Sequence, residues 1–260
     1  MSARVKTALI ALPVVLAVLF FGGRILFGLV IAAVAVLGAR EYAGIAGGGG
    51  NALDDVFVPL WAGVLVLGFL APSTELPGEL LALGSLVYLA VWIMGKGPGE
   101  DTLRRWASTL GAWVFVGLFL GHLVWVRSHG VGPVLFLSVL IWTGDTAAYY
   151  VGSAFGRRKL APAVSPGKTV EGAAASVVAS ALMAFFLARV LELPHAPAAS
   201  LFFGVAINVA AQLGDLAESL LKRCGGVKDS GALFPGHGGM LDRVDAFLLA
   251  GPVYALFLRL

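Results

Sequence analysis

The chain has 260 residues, 59% of them hydrophobic and only 13% charged. Roughly a quarter of a soluble domain is charged, so this composition excludes an ordinary soluble domain and describes a membrane protein. A net charge of +3 is too small to imply a nucleic-acid partner and fits a positive-inside bias, and a single cysteine, Cys224, excludes an intramolecular disulfide framework.

In chain order, apolar runs divided by charged or Gly/Pro breaks predict an all-α, polytopic fold of about nine transmembrane helices. They cover roughly 7–22, 25–45, 56–72, 79–95, 108–127, 131–151, 172–192, 198–220 and 241–259, several of them short enough to require tilting or burial. The N-terminal stretch MSARVKTALIALPVVLAVLF has the basic start and apolar run of a signal peptide. No small-residue cleavage site leading into a soluble domain follows it, so it reads as a retained first span. Gly47 to Gly50 reads as a loop. Asp54 and Asp55 precede an apolar run and read as helix-start residues. The expected organisation is a scaffold of transmembrane helices over 1–105 and a second transmembrane region over 106–260, with polar loops at 152–171 and 221–240.

Nine spans place the termini on opposite sides, and the basic residues then sort 14 to 4. Arg24, Arg127, Arg189 and Arg259 are the minority. The N-terminal side is therefore predicted to be cytoplasmic. Twelve of the 15 carboxylates lie on that side too, the exceptions being Glu75, Glu79 and Glu192. Topology does not require this, because acids contribute little to orientation, so a doubly charged face points to a site.

Five acids lie within or at the cytoplasmic ends of apolar helices: Asp145, Asp215, Glu218, Asp242 and Asp245. An unpaired charge at the bilayer centre costs about 2.5–3.5 kcal/mol on insertion scales, so five of them need a reason. Asp215/Glu218 and Asp242/Asp245 are i,i+3 pairs, each facing one way from its helix. Converging carboxylates suit a hard cation such as Mg²⁺. The alternative is a set of ion pairs: Glu218 with Lys222 at i,i+4, Asp242 or Asp245 with Arg243, and Asp145 satisfied locally by Thr143 and Thr146.

The loops supply complementary chemistry. GRRKLAPAVSPGKTVEG and KRCGGVKDSGALFPGHGG carry Arg157, Arg158, Lys159, Lys168, Lys222, Arg223 and Lys228 among glycines, as polyphosphate binding needs. Helix starts after Lys168 and Gly239 direct positive dipole ends at anions. Ser165-Pro-Gly-Lys-Thr169 ends like a Walker A loop, but Pro162 stands where its first glycine belongs, and it follows a membrane helix instead of a strand. His237 reads equally as a contact to phosphate or metal and as support for its turn. The six Trp and the Tyr149-Tyr150 pair read as membrane-interface anchors.

From Ser219 the chain runs through Lys222-Arg223, Lys228-Asp229, Gly231, Phe234-Pro235, His237-Gly238-Gly239 and Asp242-Arg243-Val244-Asp245. These 27 residues resemble the CTP transferase signature of the phosphatidate cytidylyltransferases, the CDP-diacylglycerol synthases. Upstream, Gly144-Asp145, Ala148-Tyr149, Gly152, Ser165-Pro166, Lys168-Thr169, Glu171-Gly172, Gln212 and Gly214-Asp215 look like the same family. The likeness covers roughly residues 140–250 and departs at Gly167, where the family usually has a second basic residue beside Lys168.

The resemblance implies transfer of the cytidylyl group of CTP to phosphatidate in the membrane leaflet, giving CDP-diacylglycerol and pyrophosphate at the cytoplasmic face of the inner (plasma) membrane. It implies Asp215, Asp242, Lys228 and Arg243 as catalytic residues. Mg²⁺ on Asp215 and Asp242 is implied, with Asp245, Asp229 and Asp145 as further ligands, and a second cation is compatible with that set. Ser165, Lys168, Ser219, Lys222, Arg223, His237, Gly238 and Gly239 are implied contacts to substrate. A CTP-dependent polyprenol or phytol kinase is the nearest alternative and a transporter the next. The acids cluster at one face, where a transporter would carry them near the midplane in both halves. No nucleic-acid partner is expected, and the sequence is compatible with a homodimer.

Overall fold

The computed structural model describes residues 13–47, 51, 53–95, 99–191, 197–234 and 238–259, and they form a membrane-embedded all-α protein. Helix α1 covers 13–21. It is followed by α2 (Gly23–Ile45), a π-helical turn (Leu53–Phe57) leading into α3 (Val58–Gly68), and α4 (Leu76–Gly95). Helix α5 (Glu100–Ala112) continues through a π-helical stretch (Trp113–Leu118) into α6 (Phe119–Ser128). Then come α7 (Val131–Phe155), β1 (Lys159–Ala161), β2 (Ser165–Thr169), α8 (Val170–Val190), α9 (Pro197–Cys224) and α10 (Leu241–Phe257).

Six helices among the described residues are long and apolar enough to cross a membrane: Gly23–Ile45, Leu76–Gly95, Asp101–Ser128, Val131–Phe155, Val170–Val190 and Ala198–Cys224. Three of the nine predicted spans fall outside that set, the first because it lies partly outside the described residues and the other two by length. The first is described only from residue 13, α3 has 11 residues and α10 has 17, against the roughly 20 of a perpendicular crossing. Pro252 lies inside α10, where its ring removes one backbone donor from the helical ladder.

The chain gathers into two compact units, Met1–Trp125 with Cys224–Arg243 and Val126–Arg223 with Val244–Leu260. In the first, α2 packs on α3, and α3 on the Trp113–Leu118 stretch, around an aromatic cluster. Phe57, Trp61 and Tyr88 all have ring centroids within 6.5 Å of that of Trp113. Trp113 is fully buried, and its indole N–H donates to the Val58 carbonyl at 2.9 Å. This corrects the anchor reading for Trp113: a carbonyl on a neighbouring helix satisfies the indole, so the ring serves packing. Tyr149 and Tyr150 are 71% and 66% exposed, as interface anchors would be. Asp54 sits at a helix start as expected, but its carboxylate is buried, 2.8 Å from the Tyr88 hydroxyl and 2.5 Å from Arg105 Nη1.

In the second unit α7 packs along α8 through small residues. Asn208 of α9 donates to Ser176 Oγ and Ser180 Oγ at 2.9 Å each, Ser180 Oγ donates to the Leu140 carbonyl, and Gln212 donates to Asn208 Oδ1 at 2.7 Å. Small and amide side chains of this kind hold membrane helices together where apolar burial gives no net drive. Gly144 faces the network closely: a Cβ there would lie 2.2 Å from Asn208 Nδ2 and 2.7 Å from Ser176 Oγ. Gly144→Ala is therefore expected to destabilise the protein by about 1–3 kcal/mol through overpacking. The measurement is the apparent Tm in detergent, and an unchanged Tm would show that the helices separate there without cost.

The predicted loop 152–171 is more ordered than a loop. Helix α7 runs on to Phe155, and β1 and β2 pair antiparallel with Lys159 opposite Thr169 and Ala161 opposite Ser165. Thr169 ends the hairpin and caps α8, its hydroxyl accepting from the Gly172 N–H at 3.2 Å. The Glu171 carboxylate accepts from the backbone N–H groups of Arg157 and Arg158, which folds the chain after α7 back onto the start of α8.

Candidate active site

In the second unit the chemistry gathers at the ends of α7, β2, α9 and α10. Lys168, at the end of the hairpin, places Nζ 2.5 Å from Asp215 Oδ2. Asp145 of α7 is within electrostatic reach of Asp215 and Lys168. Asp245 of α10 is within reach of Asp215, Asp145 and Lys222. Three predicted ligands thus lie close enough to repel one another, with one ammonium in direct contact. The Thr146 hydroxyl donates to the Trp142 carbonyl at 2.7 Å, so its proton is turned to its own helix instead of to Asp145.

The approach of α9 to α10 depends on Gly214. A Cβ there would stand 2.4 Å from the Asp245 carbonyl oxygen, so any larger residue beside Asp215 would push α10 away. Asp245 Oδ1 accepts from the Ala246 N–H at 2.8 Å. Ser219 Oγ is 3.5 Å from Asp215 Oδ1, the long limit of a hydrogen bond.

Glu218 takes the part its spacing allowed, and Arg223 takes one the spacing did not show. Glu218 is fully buried and pairs with Lys222 at 2.5 Å, the i,i+4 ion pair offered as the alternative to a ligand. Arg223 donates from Nε to the Val164 carbonyl at 3.2 Å, tying the end of α9 to the hairpin turn. Ser165 opens β2, half-buried.

In the first unit, Lys228, Asp229 and Arg243 are exposed. Asp242, in the first turn of α10, turns Oδ2 to the backbone N–H groups of Ser230 (2.9 Å) and Gly239 (2.8 Å) and to Ser230 Oγ (2.9 Å). Gly238 has φ +78°, in the left-handed region, and a Cβ on it would lie 2.3 Å from Asp242 Oδ2. His237 lies outside the described residues.

Glu41 was not singled out in the sequence, yet its carboxylate joins this second cluster, accepting from the N–H groups of Met240 and Leu241 at 2.8 Å each. The available signal was an acid near the end of an apolar span, in Arg40-Glu41-Tyr42.

Among the described residues no three His, Cys, Asp or Glu side chains meet in metal-ligand geometry. The donor chemistry nonetheless suits a hard cation. Asp145, Asp215 and Asp245 offer only oxygen, and the Lys168 ammonium pairs with Asp215 beside them.

The model of a family described as "Cytidylyltransferase family" matches residues 2–260. The chain is 36% identical to a phosphatidate cytidylyltransferase of Pseudomonas aeruginosa over 98% of its own length and 96% of that protein's. It is 32% identical to one of Haemophilus influenzae over 98% and 97%. Identity to one of Bacillus subtilis is 41%, over 58% of this chain and 57% of that protein.

Proposed function

Because the chain belongs to the cytidylyltransferase family, we propose that it transfers the cytidylyl group of CTP to phosphatidate, releasing pyrophosphate and forming CDP-diacylglycerol for phospholipid synthesis. The observation that carries this reading is the Lys168–Asp215 pair set among Asp145 and Asp245 at the ends of apolar helices. Such a place suits a water-soluble triphosphate and a lipid phosphate. The 14-to-4 sorting of basic residues supports a cytoplasmic N-terminus, a nine-span topology and a site facing the cytoplasm across the inner (plasma) membrane.

In the proposed reaction a phosphate oxygen of phosphatidate forms a bond to the α-phosphorus of CTP. The bond from that phosphorus to the bridging oxygen of the β-phosphate breaks, and pyrophosphate leaves with the electron pair. The step needs charge neutralisation and alignment more than a strong base. Lys168, placed by the hairpin and held by Asp215, is suited to bind phosphate oxygens, and the exposed Arg157, Arg158, Lys159 and Arg223 attract the triphosphate. Lys222, Lys228, Arg243, Ser165, Ser219, His237, Gly238 and Gly239 are the further proposed contacts. Asp145, Asp215 and Asp245 would hold Mg²⁺, and Asp242 and Asp229 stay in the proposed ligand set on the strength of the signature. Bound there, the ion would neutralise phosphate charge as the pyrophosphate leaves.

The experiment is the fate of labelled CTP incubated with phosphatidate and the purified protein in vesicles. Label from the α-phosphate is expected in the lipid, and label from the γ-phosphate in pyrophosphate. Transfer of γ-label to a lipid, with CDP released, would identify a kinase and overturn the reading.

A further inference from the structure

We propose that Glu41, outside the signature and near the end of α2, is a positioning residue for nucleotidyl transfer: its carboxylate fixes the glycine-rich segment before α10 and, through Ser230, the carboxylate of Asp242. The proposal rests on the functional reading above.

Two amides and one hydroxyl converge on this side chain. The Met240 N–H donates to Oε1 and the Leu241 N–H to Oε2, both at 2.8 Å, and Ser230 Oγ lies 2.8 Å from Oε2. Leu241 opens α10, so its amide has no acceptor within the helix. A carboxylate there satisfies it and meets the positive end of the helix dipole. Local residues usually do this, but here the acceptor comes from about 200 residues upstream, at a sequence separation of 200 from Leu241.

Asp242 does not hold its orientation alone. Ser230 Oγ is 2.8 Å from Glu41 Oε2 and 2.9 Å from Asp242 Oδ2, while Ser230 N–H donates to that same Oδ2. The single Ser230 hydroxyl proton is shared between the two carboxylates, while its oxygen accepts from the Asp242 N–H at 3.3 Å, so moving Glu41 moves the partner that orients Asp242. The glycines of the signature are shaped to this arrangement. A Cβ on Gly239 would lie 2.4 Å from both Glu41 carboxylate oxygens, and one on Gly231 would lie 2.7 Å from Oε1. Gly231 and Gly239 approach the carboxylate closely enough to exclude a methyl group at either position.

Chemistry narrows the residue to a carboxylate. Glutamine offers one carbonyl oxygen, and its NH₂ would face a backbone N–H, donor against donor. Aspartate keeps both acceptors on a side chain one methylene shorter.

The test compares wild type, Glu41→Gln and Glu41→Asp as full-length protein in vesicles containing phosphatidate. Glu41→Gln is expected to lower kcat about ten- to a hundredfold, the scale of losing a charge-assisted hydrogen bond. KM for phosphatidate should stay within about twofold, because the effect falls on alignment and not on lipid binding. Hydrogen exchange should quicken in peptides covering 229–241 and stay unchanged over 170–190. Glu41→Asp should recover part of the kcat. Wild-type kcat in Glu41→Gln overturns the proposal, as does a loss accompanied by equally faster exchange over 170–190, which would mark general destabilisation. A wild-type protein that makes no CDP-lipid overturns the functional reading and this proposal with it.

Discussion

Asp215→Asn is expected to lower phosphatidate-dependent pyrophosphate release from CTP by about 10²–10³-fold, the range seen when one preorganised electrostatic contact to the reacting group is removed. The substitution changes charge and hardly any volume, so the approach of α9 to α10 at Gly214 is kept. What it removes is the negative end of the pair with Lys168, 2.5 Å away, and the carboxylate that Asp145 and Asp245 both feel. Lys168 then loses the contact that holds its ammonium at the end of the hairpin, and two acids remain where three stood. If a cation is held there, its affinity falls with the missing charge. Titrating Mg²⁺ therefore separates two parts of the effect: activity regained at high Mg²⁺ reports weakened binding, and activity still lost reports misplaced charge. Near-normal turnover of Asp215→Asn at saturating Mg²⁺ would remove Asp215 from the machinery altogether.

The sequence makes the elements of this site legible where the information is local. Glu218 and Lys222 are one helical turn apart, and they pair. A helix start just after Lys168 is expected from the sequence, and the Thr169 hydroxyl caps α8 there. Asp145, Asp215 and Asp245 stand out because an acid in an apolar run is costly wherever it falls, and the structure gathers those three in one unit.

What depends on distant partners was not legible. The hairpin hides in a loop because its strands are three and five residues long, and Pro166 and Gly167 break any alternation. Trp113 resembled an interface anchor because nothing near it in sequence shows that Val58, 55 residues earlier, would accept its indole proton. Glu41 escaped for the same reason on a larger scale, its partner Ser230 lying 189 residues away. The charged start of α10 reads in sequence as cation ligands or as ion-pair partners of Arg243. The structure shows that Asp242 also organises the loop before it.

The observed loop contacts and the proposed ligand role set up the second large effect, because Asp242→Asn separates the two. Two backbone donors meet on Asp242 Oδ2, the Ser230 N–H and the Gly239 N–H, and the single Ser230 hydroxyl proton is shared between it and Glu41 Oε2. Asparagine retains one carbonyl oxygen, which can take that position and keep the loop folded, while an amide replaces the other carboxylate oxygen. If Asp242 served only to cap and fold, the variant would keep most of its activity and its exchange pattern over 229–241. If its charge acts on the cation and phosphates, turnover falls about 10²–10³-fold while the loop stays protected. The second outcome is the expected one. Asp242→Ala supplies the contrast, since it removes the acceptor itself and leaves two backbone donors to water or to nothing, at about 1–3 kcal/mol for each that stays buried. Its exchange over 229–241 should quicken along with the loss of turnover. The measurement is pyrophosphate release paired with hydrogen exchange on both variants. Wild-type turnover in Asp242→Asn would confine Asp242 to the loop and leave the carboxylates of α7, α9 and Asp245 as the whole of the acidic site.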